Sequence, residues 1–198
     1  PTGKVLSIIT PDAQRSMFTY LGASSEIHPD EINESSFADA AIIMVEGYLL
    51  FNHELIMSVL ESAKKSGGLI AVDLASFTVV RENRSILPEI VENYVDILIA
   101  NEDEAYEYTG EKNEIDALKK LSENVKIGVL KIGKKGSLIC ESGKIYTINP
   151  KGNGRAVDTT GAGDLWASGF LYGLVNGYSI EKSGEIGSAC GHAVCQVV

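Results

Sequence analysis

The sequence is short of cysteine, histidine and positive charge, and each shortage removes a class of function. Its three cysteines, Cys140, Cys190 and Cys195, come without any Cys-x-x-Cys spacing. An odd count in that pattern supports neither a disulfide framework nor a zinc site. Cys190 and Cys195 fall in an apolar helical stretch and read as small core residues. The three histidines, His28, His53 and His192, form no metal-ligand cluster along the chain. Long hydrophobic runs are missing too. The longest clean one, Ala40 to Val45, is strand-sized, well below the roughly 18 residues that cross a bilayer. Neither end has a basic start leading into an apolar stretch, so the expectation is a soluble, cytoplasmic protein. Lys and Arg number 17 against 27 Asp and Glu, a formal net charge of −10. Nucleic-acid binders show the reverse balance because they neutralise a phosphate backbone. Neither nucleic acid nor a membrane is expected as a partner. Small phosphorylated ligands stay open, since backbone amides and a metal ion hold them without a basic surface.

What remains is an ordinary globular make-up, with 198 residues, 44% hydrophobic and 22% charged, enough to bury a full core. The chain opens Pro1-Thr2-Gly3 without a Met and closes at Val197-Val198 inside a helical pattern. Both ends therefore read as cut.

Periodicity places strands at Lys4–Thr10 and Ser16–Leu21, joined by a turn at Pro11-Asp12-Ala13-Gln14. Ala40–Glu46 is a continuous apolar strand. Asn52 starts a helix that runs to about Lys65 and stops at Gly67-Gly68. Strand Leu69–Leu74, a helix around Ser85–Asn93 and strand Asp96–Ala100 follow, then helices from Glu102 and over Asn113–Leu121. Lys126–Ile132 and Ser137–Cys140 read as strands, with Lys144–Ile148 paired across Ser142-Gly143. Two helices, Gly161–Asn176 and Ser179–Val198, complete the chain. Strands alternating with helices predict an α/β fold, a mostly parallel sheet with helices on both faces.

One segment carries chemistry. Asp158-Thr159-Thr160-Gly161-Ala162-Gly163-Asp164 runs into the small-residue helix Leu165-Trp166-Ala167-Ser168-Gly169. Free N–H groups at Gly161, Ala162 and Gly163, together with the helix dipole, make an anion site. Asp164 in the same first turn is placed to take a proton from a hydroxyl. Gly169 and Gly173, four apart, let this helix pack closely on a neighbour. There is no Walker A loop and no Gly-x-Gly-x-x-Gly, which disfavours P-loop NTPases and Rossmann dehydrogenases.

Asp-Thr-Thr-Gly-Ala-Gly-Asp resembles the C-terminal signature of ribokinase/PfkB-family kinases, and the match is complete across the loop. The resemblance implies that the loop is an anion hole and that Asp164 is the general base. Asn101-Glu102-Asp103-Glu104, after a strand, resembles the family's Asn-x-x-Glu motif, which implies that Glu104 and Asn101 help position Mg²⁺, mostly through water. The same residues also read as an ordinary helix cap. Lys131-Ile132-Gly133-Lys134-Lys135-Gly136 is similar to the family's Gly-x-x-Gly turn. It implies that Lys131, Gly133 and Gly136, with Thr160, line the nucleotide site; an ordinary basic hairpin explains the segment equally well.

The resemblance covers nearly the whole chain, while the chain covers only the C-terminal majority of a single kinase domain. It implies ATP and Mg²⁺ as cofactors, K⁺ near Asp158 in some members, and a monomer or homodimer. Pro1-Thr2-Gly3, the stretch from Ile9 to Met17, Glu46-Gly47-Tyr48-Leu49 and Gly191-His192 are similar to adenosine-kinase-like members. They point to a nucleoside acceptor such as adenosine, with Glu46 on the acceptor side and His192 near the adenine of ATP. A ribokinase- or fructokinase-type sugar kinase is the alternative. A non-catalytic relative would be expected to lack Asp164, and a fold-sharing vitamin kinase to vary the loop before it.

Overall fold

In the computed structural model, residues 1–10, 15–152 and 156–197 are described. The predicted turn at 11–14 lies outside them. The chain divides into two compact units, Pro1–Glu31 with Pro150–Val198, and Ile32–Asn149.

The second unit is built on a six-stranded sheet. Its strands are β3 (Ile42–Glu46), β4 (Leu69–Asp73), β5 (Ile97–Asn101), β6 (Ile127–Lys131), β7 (Ser137–Glu141) and β8 (Lys144–Ile148). They lie side by side in chain order. β3 to β6 are parallel, and β7 and β8 are antiparallel. β4, β5 and β6 are nearly continuous apolar runs buried at successive residues, hence on both faces, as parallel strands usually are.

The connecting helices begin and end where side chains dictate. The Asn52 side chain accepts the Leu55 N–H to start α1 (His53–Ser66), and Gly67, at φ 84°, ends it. Ser76 caps α2 (Phe77–Glu82) by accepting from Val79. This helix was not expected, because Thr78, Val79 and Val80 are β-branched and poor helix formers. α3 follows at Leu87–Tyr94, starting two residues later than predicted, with Pro88 in its first turn. Asn101 and Asn113 cap α4 (Glu102–Thr109) and α5 (Glu114–Leu121). One apolar cluster joins Ile56, Leu60, Leu87, Ile90 and Leu118 to Val45, Val72, Leu98, Leu130 and Leu138. Alternation along the strands sends their neighbours Glu46, Asp73, Asn101, Lys131 and Ser137 to the opposite face.

The first unit holds a two-stranded antiparallel sheet, β1 (Lys4–Ile9) with β2 (Arg15–Tyr20), in the register Lys4↔Tyr20 to Ile9↔Arg15. It also holds two helices, α6 (Ala162–Val175) and α7 (Ile180–Val194). α7 ends at Val194 with Cys195 as its C-cap, short of the predicted helical pattern to 198. Trp166 and Phe170 of α6 stack with ring centroids 5.2 Å apart. The expected close packing of Gly169 and Gly173 is seen against α7. A Cβ on Gly173 would stand 2.7 Å from the Ser183 Cα, and one on Gly169 would stand 3.0 Å from the Gly187 Cα. Backbone cannot give way as a flexible side chain can, so Gly173→Ala is expected to destabilise the protein by about 1–3 kcal/mol. The check is the urea midpoint, which should fall at constant slope; an unchanged midpoint would argue against this packing. Among the described residues, no helix is long and apolar enough to cross a membrane.

Candidate active site

In the first unit, the glycine-rich loop is shaped by Asp158. Its Oδ1 accepts the Thr160 N–H at 2.8 Å and the Thr160 hydroxyl at 2.7 Å. The carboxylate is 9% exposed, so its first use is to fold the loop, and the Thr160 hydroxyl is spent in the same turn. Gly161 then takes φ 75°, ψ 1° as the N-cap of α6, a left-handed conformation that glycine adopts without a Cβ clash. The first helical bond runs from Leu165 N–H to the Gly161 carbonyl.

This geometry alters the predicted donor set. The Ala162 N–H turns back to the Thr159 carbonyl at 3.2 Å, so Ala162 leaves the trio. The N–H groups of Gly161, Gly163 and Asp164 have no hydrogen-bond partner among the described residues. They are the orphan donors of a helix N-terminus, backed by its dipole. The Asp164 side chain is exposed in that first turn. It has no hydrogen-bond or ion-pair partner among the described residues and is chemically free to accept a proton. His192, on α7, fills the space beside Gly152, where a Cβ would run into its ring. The neighbouring Lys151 N–H donates to Ser188 Oγ at 2.8 Å. The predicted nucleotide histidine is thus packed against a loop within its own unit.

In the second unit, the strand register assembles a polar row at one edge of the sheet. Glu46 pairs with Asp73 across β3–β4, Asn101 with Lys131 across β5–β6, and Lys131 with Ser137 across β6–β7. The parallel strands contribute their C-terminal ends to this row, the edge where α/β sheets place ligands. Three of these residues, Glu46, Asn101 and Lys131, were predicted site residues; Asp73 and Ser137 were not. Lys131 reaches over the end of β5 to Asp73, Nζ to Oδ2 at 2.5 Å, with side chains 15% and 8% exposed. The predicted nucleotide lysine is therefore held by a carboxylate two strands away. The other Asp73 oxygen accepts the Ala75 N–H at 3.1 Å. Ser137 Oγ is buried with no hydrogen-bond partner among the described residues. The turn after Lys131 closes with Gly136 N–H on the Gly133 carbonyl at 3.0 Å.

Asn101 and Glu104 bear out the helix-cap reading of the sequence. They form a reciprocal cap: Asn101 Oδ1 accepts the Glu104 N–H at 2.9 Å, and Glu104 Oε2 accepts the Asn101 N–H at 2.7 Å. Asn101 Nδ2 also donates to Glu104 Oε1 at 2.6 Å. Glu104 is 2% exposed. Burial first, then the Asp73 carboxylate, push its pKa up to about 7, against the pull of the Asn101 N–H and Lys131. Among the described residues, no group of three or more His, Cys, Asp or Glu is arranged to hold a metal. A buried carboxylate with an amide beside it and a second carboxylate, Asp73, near enough to act on it suits Mg²⁺, which keeps most of its waters and leans on substrate phosphates. The orphan amides at α6 likewise suit a phosphate.

Residues 1–198, the whole chain, match the pfkB family carbohydrate kinases. The chain belongs to this family. The 5-dehydro-2-deoxygluconokinase of Geobacillus thermodenitrificans is 29% identical over 189 residues, covering 87% of this chain and 54% of its own length. A probable sugar kinase from Rhizobium etli is 33% identical with a TM-score of 0.94, covering all of this chain and 61% of its own. Adenosine kinase from Sinorhizobium meliloti is 30% identical, also at TM-score 0.94, covering all of this chain and 62% of its own. The chain thus spans about half the length of the curated relatives it matches. The mostly parallel α/β sheet flanked by helices is the one predicted from the strand and helix pattern, and its ribokinase-like, pfkB-family character is the one the motif resemblance implied.

Proposed function

We propose that the full-length protein transfers the γ-phosphoryl group of ATP to a hydroxyl of a sugar-containing acceptor, with Asp164 as general base. The observation that carries this reading is the start of α6, where a carboxylate and amides that are unpartnered among the described residues lie together. Bound ATP with Mg²⁺ supplies the phosphoryl group and neutralises much of its charge. Asp164 takes the proton of the attacking hydroxyl. The amides of Gly161 and Gly163 donate to charge developing on the transferred group. On the side of the second unit, Lys131 and the Gly133–Gly136 turn are assigned to the nucleotide, and Asn101 and Glu104 to the hydrated metal. Asp158 keeps the loop in shape, and a K⁺ site beside it belongs to the same reading.

For the acceptor, a nucleoside such as adenosine is the preferred class, supported by Glu46-Gly47-Tyr48-Leu49 and Gly191-His192 and by the similarity to an adenosine kinase. A purine requires an apolar slot with few hydrogen bonds, whereas a free sugar requires many convergent polar groups. The sugar-kinase names of the other two relatives favour the second reading, a sugar acceptor. The two are separated by kcat/KM of the full-length protein on adenosine, inosine, ribose and fructose. Adenosine is expected to lead; a preference of about tenfold or more for a free sugar would replace the nucleoside with the sugar.

A further inference from the structure

Asp73 has no role in the proposal above, yet both of its carboxylate oxygens are engaged. It ends β4, is 6% exposed, and lies on the face opposite the apolar cluster. One oxygen holds the Ala75 N–H at 3.1 Å, in a turn where Ala75 takes φ 66°. The other holds Lys131 Nζ. Lys131 belongs to β6, so its ammonium crosses the end of β5 above Asn101, two strand spacings of about 4.8 Å each. The pair thereby straps the ends of three parallel strands together.

A buried ion pair is a poor way to gain stability alone, because apolar residues of similar volume often serve as well or better. A strap at the strand ends where α/β sites form has another use. We infer that Asp73 is a positioning residue for nucleotide binding: it fixes the Lys131 ammonium, and with it the start of the Gly133–Gly136 turn. The inference rests on the nucleotide assignment of Lys131 and that turn proposed above. Asp73 is itself pinned by the Ala75 amide, so it presents a fixed anchor to Lys131 rather than following it.

The test is a double-mutant cycle in the full-length protein with Asp73→Asn, Lys131→Met and the two combined. It reads calorimetric affinity for ADP with Mg²⁺ together with the melting temperature. Each single change leaves a buried polar group or charge alone and should lower the melting temperature by several degrees, about the size expected for a broken buried pair. Each should also weaken ADP binding by about tenfold. The double variant should melt within about 2 °C of the parent yet bind ADP no more weakly than the worse single variant. That non-additivity is the signature of Asp73 acting through Lys131.

ADP affinity of Asp73→Asn within about twofold of the parent would overturn the inference, as would losses that multiply in the double variant. A double variant that regains both melting temperature and affinity would also overturn it, leaving the strap purely structural. Where Asp73→Asn does not fold, the double variant is compared with Lys131→Met alone: equal ADP affinity supports the inference and a further loss overturns it. A parent that binds no ADP with Mg²⁺ would sink the nucleotide reading itself, and this inference with it.

Discussion

Replacing Asp164 by Asn should lower kcat of the full-length protein by roughly 10²–10⁴ while ATP affinity is kept. The substitution removes one proton acceptor and little else, because the side chain is exposed and holds no hydrogen bond or ion pair among the described residues. The shape of the α6 start does not depend on it, since Gly161 and the Asp158–Thr160 turn set that shape. Folding and nucleotide binding are therefore expected to survive, and the loss should fall on the chemical step. Steady-state kinetics alongside calorimetric ATP affinity separates the two. Turnover within about threefold of the parent would take Asp164 out of the mechanism.

The second large effect is on stability, through Glu104. Burial and the Asp73 carboxylate raise its pKa from the ordinary 4.5 to about 7 in the folded protein. A carboxyl whose folded pKa lies above its unfolded value binds the extra proton in the native state. Its favourable contribution is complete below the unfolded value and is lost as pH rises through the folded one. Between those limits the loss amounts to about 3 kcal/mol. Glu104→Gln keeps a group able to accept the Asn101 N–H but carries no charge to bury. Urea unfolding of parent and variant from about pH 5 to pH 8 should show the parent losing about 3 kcal/mol relative to Glu104→Gln. A difference that stays flat across that range would mean Glu104 is already ionised in the fold at pH 5.

Local chemistry was legible where it is encoded locally. Asn52, Asn101 and Asn113 mark helix starts, and Gly67 marks a stop, because capping needs only neighbours in sequence. The loop ending at Asp164 was likewise readable as a helix start with free amides, although the bond from Ala162 to Thr159 takes Ala162 out of that set and Asp164 joins Gly161 and Gly163 in it. α2 escaped because its β-branched Thr78, Val79 and Val80 argue for a strand, and only the Ser76 cap signals otherwise. That the polar row comes together was not legible, for another reason. Asp73, Lys131 and Ser137 each end or begin an apolar run, and each alone reads as a strand terminus. Their meeting depends on sheet order, which places β4, β5 and β6 side by side across distant stretches of chain. One signal was present: a carboxylate attached to a fully buried strand requires a partner, and Lys131 stands in the matching place on another such strand.

Phosphoryl transfer from ATP to a hydroxyl can be followed by tracing the label from γ-labelled ATP in the full-length protein. The reaction is run with Mg²⁺ and a mixture of nucleosides and sugars, and the products are separated by chromatography. Label is expected on an alcohol oxygen of one acceptor class, dependent on Mg²⁺ and nearly abolished by Asp164→Asn. ATP bound with the label remaining on nucleotide, whatever acceptor is offered, would contradict this transfer.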